Sequence, residues 1–202
     1  EKGFVSHLEL DVGKSAGTLV RVSSAPKRQE PGSAFFRLVG AEEDVVRIDG
    51  EAKIDWPQGN RTTLVEAQAT EGSETLRFSL DSQKSSVLVP LLDSDWLLQM
   101  AVGKKVNIQG GKGVVVGFVN GKDFEVFVDE REPYETENIV YFDASGNILR
   151  QGHGVAGGGF ILFNVPLGFH SVMAIPQGSD RIWSRTLVSE SSLTNLIPEV
   201  NL

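Results

Sequence analysis

An all-β fold, laid out as two β-sandwiches in tandem around one short helix, is what this 202-residue sequence predicts, and three observations carry it. Apolar and polar residues alternate over short runs along most of the chain, the period of strands with one face in a core. Glycine, proline, asparagine and aspartate punctuate those runs, with 22 glycines and 8 prolines in all. Helical spacing recurs in one place, about Asp95 to Ala101, where Trp96, Leu97 and Met100 share a face behind an N-cap at Asp93 or Ser94.

Taken in order, Phe4 to Val12 alternates as a strand and Gly17 to Val22 follows. The polar stretch Ser23 to Ser33 reads as a loop, then Ala34 to Val39 and Asp44 to Ile48 as short strands. Asp49-Gly50 is a turn before Glu51 to Trp56, and Thr62 to Ala69 and Glu74 to Leu80 extend the strand-rich half. Val87 to Leu92 is apolar and extended, the helix follows, and Gly103 is expected to end it. The domain junction falls there, giving an N-terminal sandwich over 1–103 and a C-terminal one over 104–202.

The second half opens with Lys105 to Gln109. Asn120-Gly121 then signals a hairpin between Val114 to Val119 and Phe124 to Val128. Asn138 to Phe142, Ile148 to Arg150 and Arg181 to Val188 read as further strands, followed by a polar tail. Between them lies the most informative stretch, Gly157 to Val172, reading GGGFILFNVPLGFHSV. Phe160, Leu162 and Asn164 alternate with Ile161, Phe163 and Val165, and both sets are nearly all apolar, which predicts a strand covered on both faces. Pro166 cannot donate to a ladder and Gly168 tolerates positive φ, so Pro-Leu-Gly is where the chain turns into the returning strand Phe169 to Ile175.

The series Gly158-x-Phe160-x-Leu162-x-Asn164-Val165-Pro166-x-Gly168-x-His170-x-Val172 resembles the corner of the carboxypeptidase regulatory-like domains, over roughly Gly111 to Leu193. It departs from that pattern in having Gly157 in place of an acid and His170 in place of an aromatic. The resemblance implies two tandem transthyretin-like/Ig-like β-sandwiches if the first half is a diverged copy. It also implies a non-catalytic module of the kind found beside enzymes and in bacterial envelope proteins, with no active site to transfer.

Two segments support a copy. Ile54-Asp55-Trp56-Pro57-Gln58-Gly59 aligns with Phe163-Asn164-Val165-Pro166-Leu167-Gly168, and Gly72-Ser73-Glu74-Thr75-Leu76 aligns with Gly178-Ser179-Asp180-Arg181-Ile182 at nearly the same offset.

Composition narrows function further. A net charge of −8 argues against a nucleic-acid surface, which needs clustered Lys and Arg. With no cysteine there is neither disulfide nor thiolate chemistry. No run of about 18 apolar residues occurs, so no membrane span is expected. The chain opens at Glu1 without a charged-then-apolar leader, as a processed chain would. The resemblance implies a location outside the cytoplasm, so the chain is expected to be periplasmic, on the cell surface or secreted.

Motifs with chemical associations read better as structure. Gly152-His153-Gly154-Val155-Ala156-Gly157 spells G-x-G-x-x-G, but a strand follows it, whereas a dinucleotide loop opens a helix. Gly13-Lys14-Ser15 lacks the earlier glycine of a phosphate loop, because Leu8 occupies its place. His7, Glu9 and Asp11 share a strand face and could ligate a cation, but fit a solvated edge strand better. Asp143-x-Ser145-x-Asn147 has the oxygen spacing of a calcium loop without the later bidentate Glu, and reads as a polar turn.

No nucleophile pattern or zinc-peptidase motif occurs, so no enzyme activity, no cofactor and no resident metal are expected. The expected partner is a protein or a glycan. For a glycan, the candidate stacking platforms are Trp183, Tyr134 and Trp56; Trp183 alternates with Arg181 and Arg185 and is expected on their outward face. Three roles remain open: an interaction or structural module, a carbohydrate-binding module, and an accessory domain of an enzyme whose catalytic part lies outside this chain.

The corner yields a direct test. Gly168→Val is expected to destabilise the protein by one to a few kcal/mol, on the order of a strained-backbone substitution, since a β-branched residue adopts positive φ only at a cost. An unchanged melting temperature would remove the assigned turn.

Overall fold

The computed structural model describes residues 18–26, 32–39, 45–54, 62–69, 74–81, 84–129, 136–191 and 193–202. The expected strand Phe4 to Val12, the Gly13-Lys14-Ser15 turn, the corner Trp56 to Gly59, the Gly72-Ser73 turn, and Tyr134 lie outside them.

The described chain is almost all strand. The first half supplies β1 (Thr18–Ser24), β2 (Ser33–Leu38), β3 (Val45–Asp49), β4 (Glu51–Ile54), β5 (Thr62–Ala69), β6 (Thr75–Asp81) and β7 (Ser86–Leu91). The helix α1 (Ser94–Lys104) follows. The second half supplies β8 (Gly113–Asn120), β9 (Phe124–Val128), β10 (Ile139–Phe142), β11 (Gly159–Val165), β12 (Gly168–Pro176), β13 (Trp183–Ser189) and β14 (Thr194–Asn201).

One eight-stranded sheet, in the order β10-β11-β8-β14-β6-β5-β2-β3, runs through both halves. Two three-stranded sheets, β4-β1-β7 and β13-β12-β9, complete the fold. The halves are therefore joined by main-chain hydrogen bonds as well as by the helix. The joining strand is β14, which lies parallel to both β8 and β6.

Within each half the pairings follow one scheme. The first strand pairs parallel with the seventh and antiparallel with the fourth: β1 with β7 and β4, β8 with β14 and β11. The fifth pairs antiparallel with the second and sixth: β5 with β2 and β6, β12 with β9 and β13. The third strand alone differs, since β3 pairs with β2 while β10 pairs with β11. The two sequence segments that align between the halves lie around the connections from the fourth strand to the fifth and from the fifth to the sixth in each.

Two apolar cores hold the layers, and they are staggered. One face of the long sheet is covered by β4-β1-β7 and by α1, through a cluster containing Val20, Val89, Phe78, Leu97, Phe118, Phe142 and Phe163. The opposite face is covered by β13-β12-β9, through Val115, Phe124, Tyr141, Phe160, Leu162, Val172 and Ile197. That second cover packs on the β10-β11-β8-β14 side. Strand β11 thus has a layer on either face and is buried throughout, as its sequence predicts. The edge-to-face rings of Trp96 and Phe142, with centroids 5.2 Å apart, seat the helix on the sheet.

Local corrections to the sequence reading have identifiable causes. The helix is capped at Asp93, whose side chain accepts the Asp95 N–H, and it buries Trp96, Leu97, Met100 and Ala101. It continues through Gly103, and Lys105 takes the left-handed conformation, φ 62°, that ends it. Gly103 serves a close approach, because a Cβ there would lie 2.3 Å from Ile148 Cδ1. Ile148 itself forms an isolated bridge to Phe142 rather than a strand.

Asn120-Gly121 joins strands of different layers rather than a hairpin. Both edges of β8 are taken by β11 and β14, which leaves no partner edge for β9. Asn164 adopts φ 59° and bulges β11, so Val165 turns to the same core as Phe160 and Leu162 and not to that of Ile161 and Phe163. The buried Asn164 carboxamide binds Asn107 O, Asn138 Oδ1 and Gln109 N, fixing the segment after the helix. Gly168 has φ 118° at the corner. The stretch expected to be a polar tail is β14, buried along most of its length.

Since β14 completes the sheet of each half, intact protein should melt in one calorimetric transition. A chain ending before Thr194 should lose that transition entirely; survival of one half as a separately melting unit would show that the shared strand is not what joins them.

Candidate functional site

The stagger leaves the β6-β5-β2-β3 part of the long sheet without a second cover among the described residues. Strand register sets one row of side chains across this face: Asn195, Arg77, Glu66, Arg37 and Val45, on β14, β6, β5, β2 and β3. Beside it, Ser79 is opposite Leu64, and on the other side Phe35 lies between Gln68 and Arg47. Phe35, Val45 and Leu64 are exposed here.

The charges of the central row form a chain of ion pairs. The Glu66 carboxylate, with its side chain 8% exposed, takes Arg37 on one oxygen and Arg77 on the other, the latter at 2.7 Å. Arg77 also pairs with Glu190, which follows β13, and so bridges the two halves. Burial by itself raises the Glu66 carboxyl, but the two guanidiniums overcome that effect and hold it below the ordinary glutamate value.

The wall beside this face is β13, the edge of its sheet. Trp183 and Leu187 pack against the core beneath β13-β12-β9, while Ser184 and Thr186 face solvent. Arg185 lies between Trp183 and Leu187 on that same inward side. Its guanidinium escapes the core by reaching across to β6, where Nη2 donates a long 3.4 Å hydrogen bond to Ser79 O. Burial pulls its pKa below the ordinary arginine value, and Asp81 only partly restores it.

Where the wall meets the sheet there is a cleft of roughly 130 Å³, whose lining includes Leu64, Arg77, Ser79, Arg185, Leu187 and Asn195. Asn195 is 5% exposed, and its Nδ2 donor is buried without a hydrogen-bond partner. An amide donor left unpaired in a folded interior costs on the order of 1–3 kcal/mol, so its place beside an open cleft asks for a reason.

The candidates named from sequence are distributed differently. Trp183 does not share an outward face with Arg185; both point inward, because Ser184 and Thr186 occupy the solvent side. Its half-buried ring is therefore not an open stacking platform. Trp56, Tyr134, His7, Glu9 and Asp11 lie outside the described residues.

The Asp143 turn consumes its own carboxylate, which accepts the N–H groups of Ser145 and Asn147 and the Asn147 amide. Among the described residues no three His, Asp or Glu side chains converge as a metal site. Gly154 of the G-x-G-x-x-G run abuts the Phe124 ring and bridges to Phe124, a packing role. His170 sits between Asp129 Oδ2 at 2.6 Å and Pro166 O at 2.7 Å, so its polar ring edges tie the corner to the end of β9.

The sequence matches no family model, and no curated protein matches it. The cleft residues were not legible as a set, because they come from four strands spread over both halves. The one local signal was Arg185 between two apolar residues of an alternating strand.

Because the Glu66 carboxyl is depressed in the folded protein, its contribution to stability is present above the ordinary glutamate pKa and is lost as pH falls through that range toward the folded value. Glu66→Gln should lower stability at neutral pH by about 2 kcal/mol, the size of a hydrogen bond to a charged group. It should also flatten the acid limb of a melting-temperature-against-pH curve; an unchanged acid limb would show that the ion-pair row contributes nothing.

Proposed function

We propose that this chain is a non-catalytic interaction module of a bacterial envelope or secreted protein, and that it engages a protein partner through the open face of β6-β5-β2-β3. The observation that carries the reading is the stagger of the two covering sheets. It leaves half of one face of a rigid sheet bare among the described residues, with Phe35, Val45 and Leu64 set among paired charges. Apolar side chains within a polar, charge-neutral frame suit a protein surface, since they contribute contact area while the ion pairs fix orientation. Shared main-chain pairing across the halves favours a module that holds a partner at a fixed angle over one that hinges.

In this reading the second half is a carboxypeptidase regulatory-like, transthyretin-like sandwich and the first a diverged copy. The Gly158 to Val172 motif, the positive φ of Gly168 and the repeated pairing scheme support it. The module works outside the cytoplasm. No helix among the described residues is long and apolar enough to cross a membrane.

A photo-crosslinking residue at position 35 or 45 tests the surface directly. Crosslinks to one discrete protein from these positions, and none from position 127 on the outer face of β9, are expected. Equal labelling from position 127 would refute the assignment of the face. Specific hits on a glycan array would replace it with the carbohydrate-binding alternative, and a catalytic domain in the parent chain with the accessory-domain alternative.

A further inference from the structure

We propose that the cleft between β13 and β6 is a binding site for a single carboxylate on a short apolar stem, anchored by the Arg185 guanidinium. This deepens the interaction reading, because the carboxylate can belong to a free small acid or to the chain terminus of a docked partner.

The first ground is the state of Arg185. Its described partners are the Ser79 carbonyl, at the limit of hydrogen-bond length, and Asp81 at longer range. A planar guanidinium presents five donors in a fork that matches a carboxylate in bidentate fashion, and most of that capacity is unused here. The neighbouring acids do not supply the match. Glu66 is committed to Arg37 and Arg77, and Glu190 to Arg77.

The second ground is the lining. Leu64 and Leu187 border the cleft with the stem of Arg185, so an aliphatic chain of a few carbons would find apolar contact next to the cation. The volume, roughly 130 Å³, is enough for a body of that size. The third ground is the buried Asn195 Nδ2, an unpaired donor at the cleft floor in the same row as Arg77. Because Asn195 lines the same cleft as Arg185, this donor is assigned to the second carboxylate oxygen.

Charge selects the class. A monoanion matches the Arg185 fork with the least added charge, since Asp81 already offsets part of that cation. A phosphate dianion would bring surplus negative charge close to Asp81, Glu66 and Glu190, in a protein of net charge −8.

The test follows the Arg185 Nε–H and Asn195 carboxamide signals by NMR during titration with sodium butyrate at fixed ionic strength. Sodium phosphate, an acetylated apolar peptide with a free C-terminus, and the same peptide amidated form the other arms. Butyrate or the free-terminus peptide should shift both signals saturably, and phosphate and the amidated peptide should not. Tighter binding of butyrate identifies a free acid as the source, and tighter binding of the peptide a partner's terminus.

Arg185→Met should weaken this binding by about tenfold or more, the loss expected for a charge-assisted pair. Its melting temperature without ligand should be no lower than that of the parent, because the substitution removes an under-partnered charge from a half-buried place. Absence of saturable shifts with either carboxylate, stronger binding of phosphate, unchanged affinity in Arg185→Met, or a marked fall in its melting temperature would overturn the proposal. Loss of crosslinking at position 35 with butyrate binding intact would count against the interaction surface alone.

Discussion

The fold depends on one pairing, the parallel insertion of β14 between β8 and β6. Without it the long sheet would be two four-stranded or smaller pieces, each with an exposed edge, and unpaired backbone donors and acceptors along such an edge are costly to bury and prone to aberrant pairing. Side chains reinforce the insertion from either side. Glu74, just before β6, accepts from Ser94 of the helix and Thr194 of β14, and Glu199 takes Lys84 and Asn120. Strand β14 is thus central although it follows all its partners in the chain, so the sheet closes only after β6 and β8 are both in place. Topologies of such high sequence separation fold slowly.

The same insertion produces the cleft. Because β14 belongs to the long sheet and not to the cover, β13 ends its own sheet as a free edge standing over β6. Its inward side chains then have two environments: Trp183 and Leu187 reach the core, whereas Arg185 meets the step where the cover stops. A lysine or leucine would also fit such a step, the first by hydration and the second by packing. A guanidinium held there with few partners is the expensive choice, and expense at a cleft is the mark of a position set by binding rather than by folding.

Much of the architecture was legible in the sequence, and the failures share a cause. Thr62–Ala69 and Phe124–Val128 could be bounded to the residue because their inward positions are regularly spaced apolar residues and their flanks carry turn residues, even though Leu64 and Phe127 put apolar side chains on the outer face. The double burial of β11 followed from apolar residues on both faces. Strand β14 was missed because its sequence, TNLIPEVN, mixes two buried polar residues, a proline and a bulge into the run, so that no two-residue period survives. Asn120-Gly121 was a true turn misassigned as a hairpin, since the local signal specifies reversal of the chain and not the layer to which the next strand returns. Gly103 misled for a related reason: a glycine after a helix reads as a cap, yet here it is kept small by Ile148, which is distant in sequence. The cleft was least legible of all. Arg185, Asn195, Arg77 and Leu64 meet only through the register of four strands.

The one departure between the halves, the sheet to which the third strand belongs, has a physical account in the helix. In the second half, β10 can leave the β9 layer and join β11 because α1 covers the face it would otherwise expose. Trp96 stacks edge-on against Phe142 of β10, and Phe142 in turn meets Phe118 of β8. All four residues of β10 are buried as a result. The first half has no such helix over the equivalent place among the described residues. Its third strand, β3, stays with β2 as the outer edge of the long sheet, where Arg47 and Asp49 pair with each other and Ile48 alone is buried. A short, charged edge of this kind resists pairing with another chain, whereas a buried edge needs no such protection. The helix therefore does more than follow β7 in the chain: by covering one end of the long sheet it gives β10 a buried place beside β11, while β13 ends its own three-stranded sheet on the opposite side from β9.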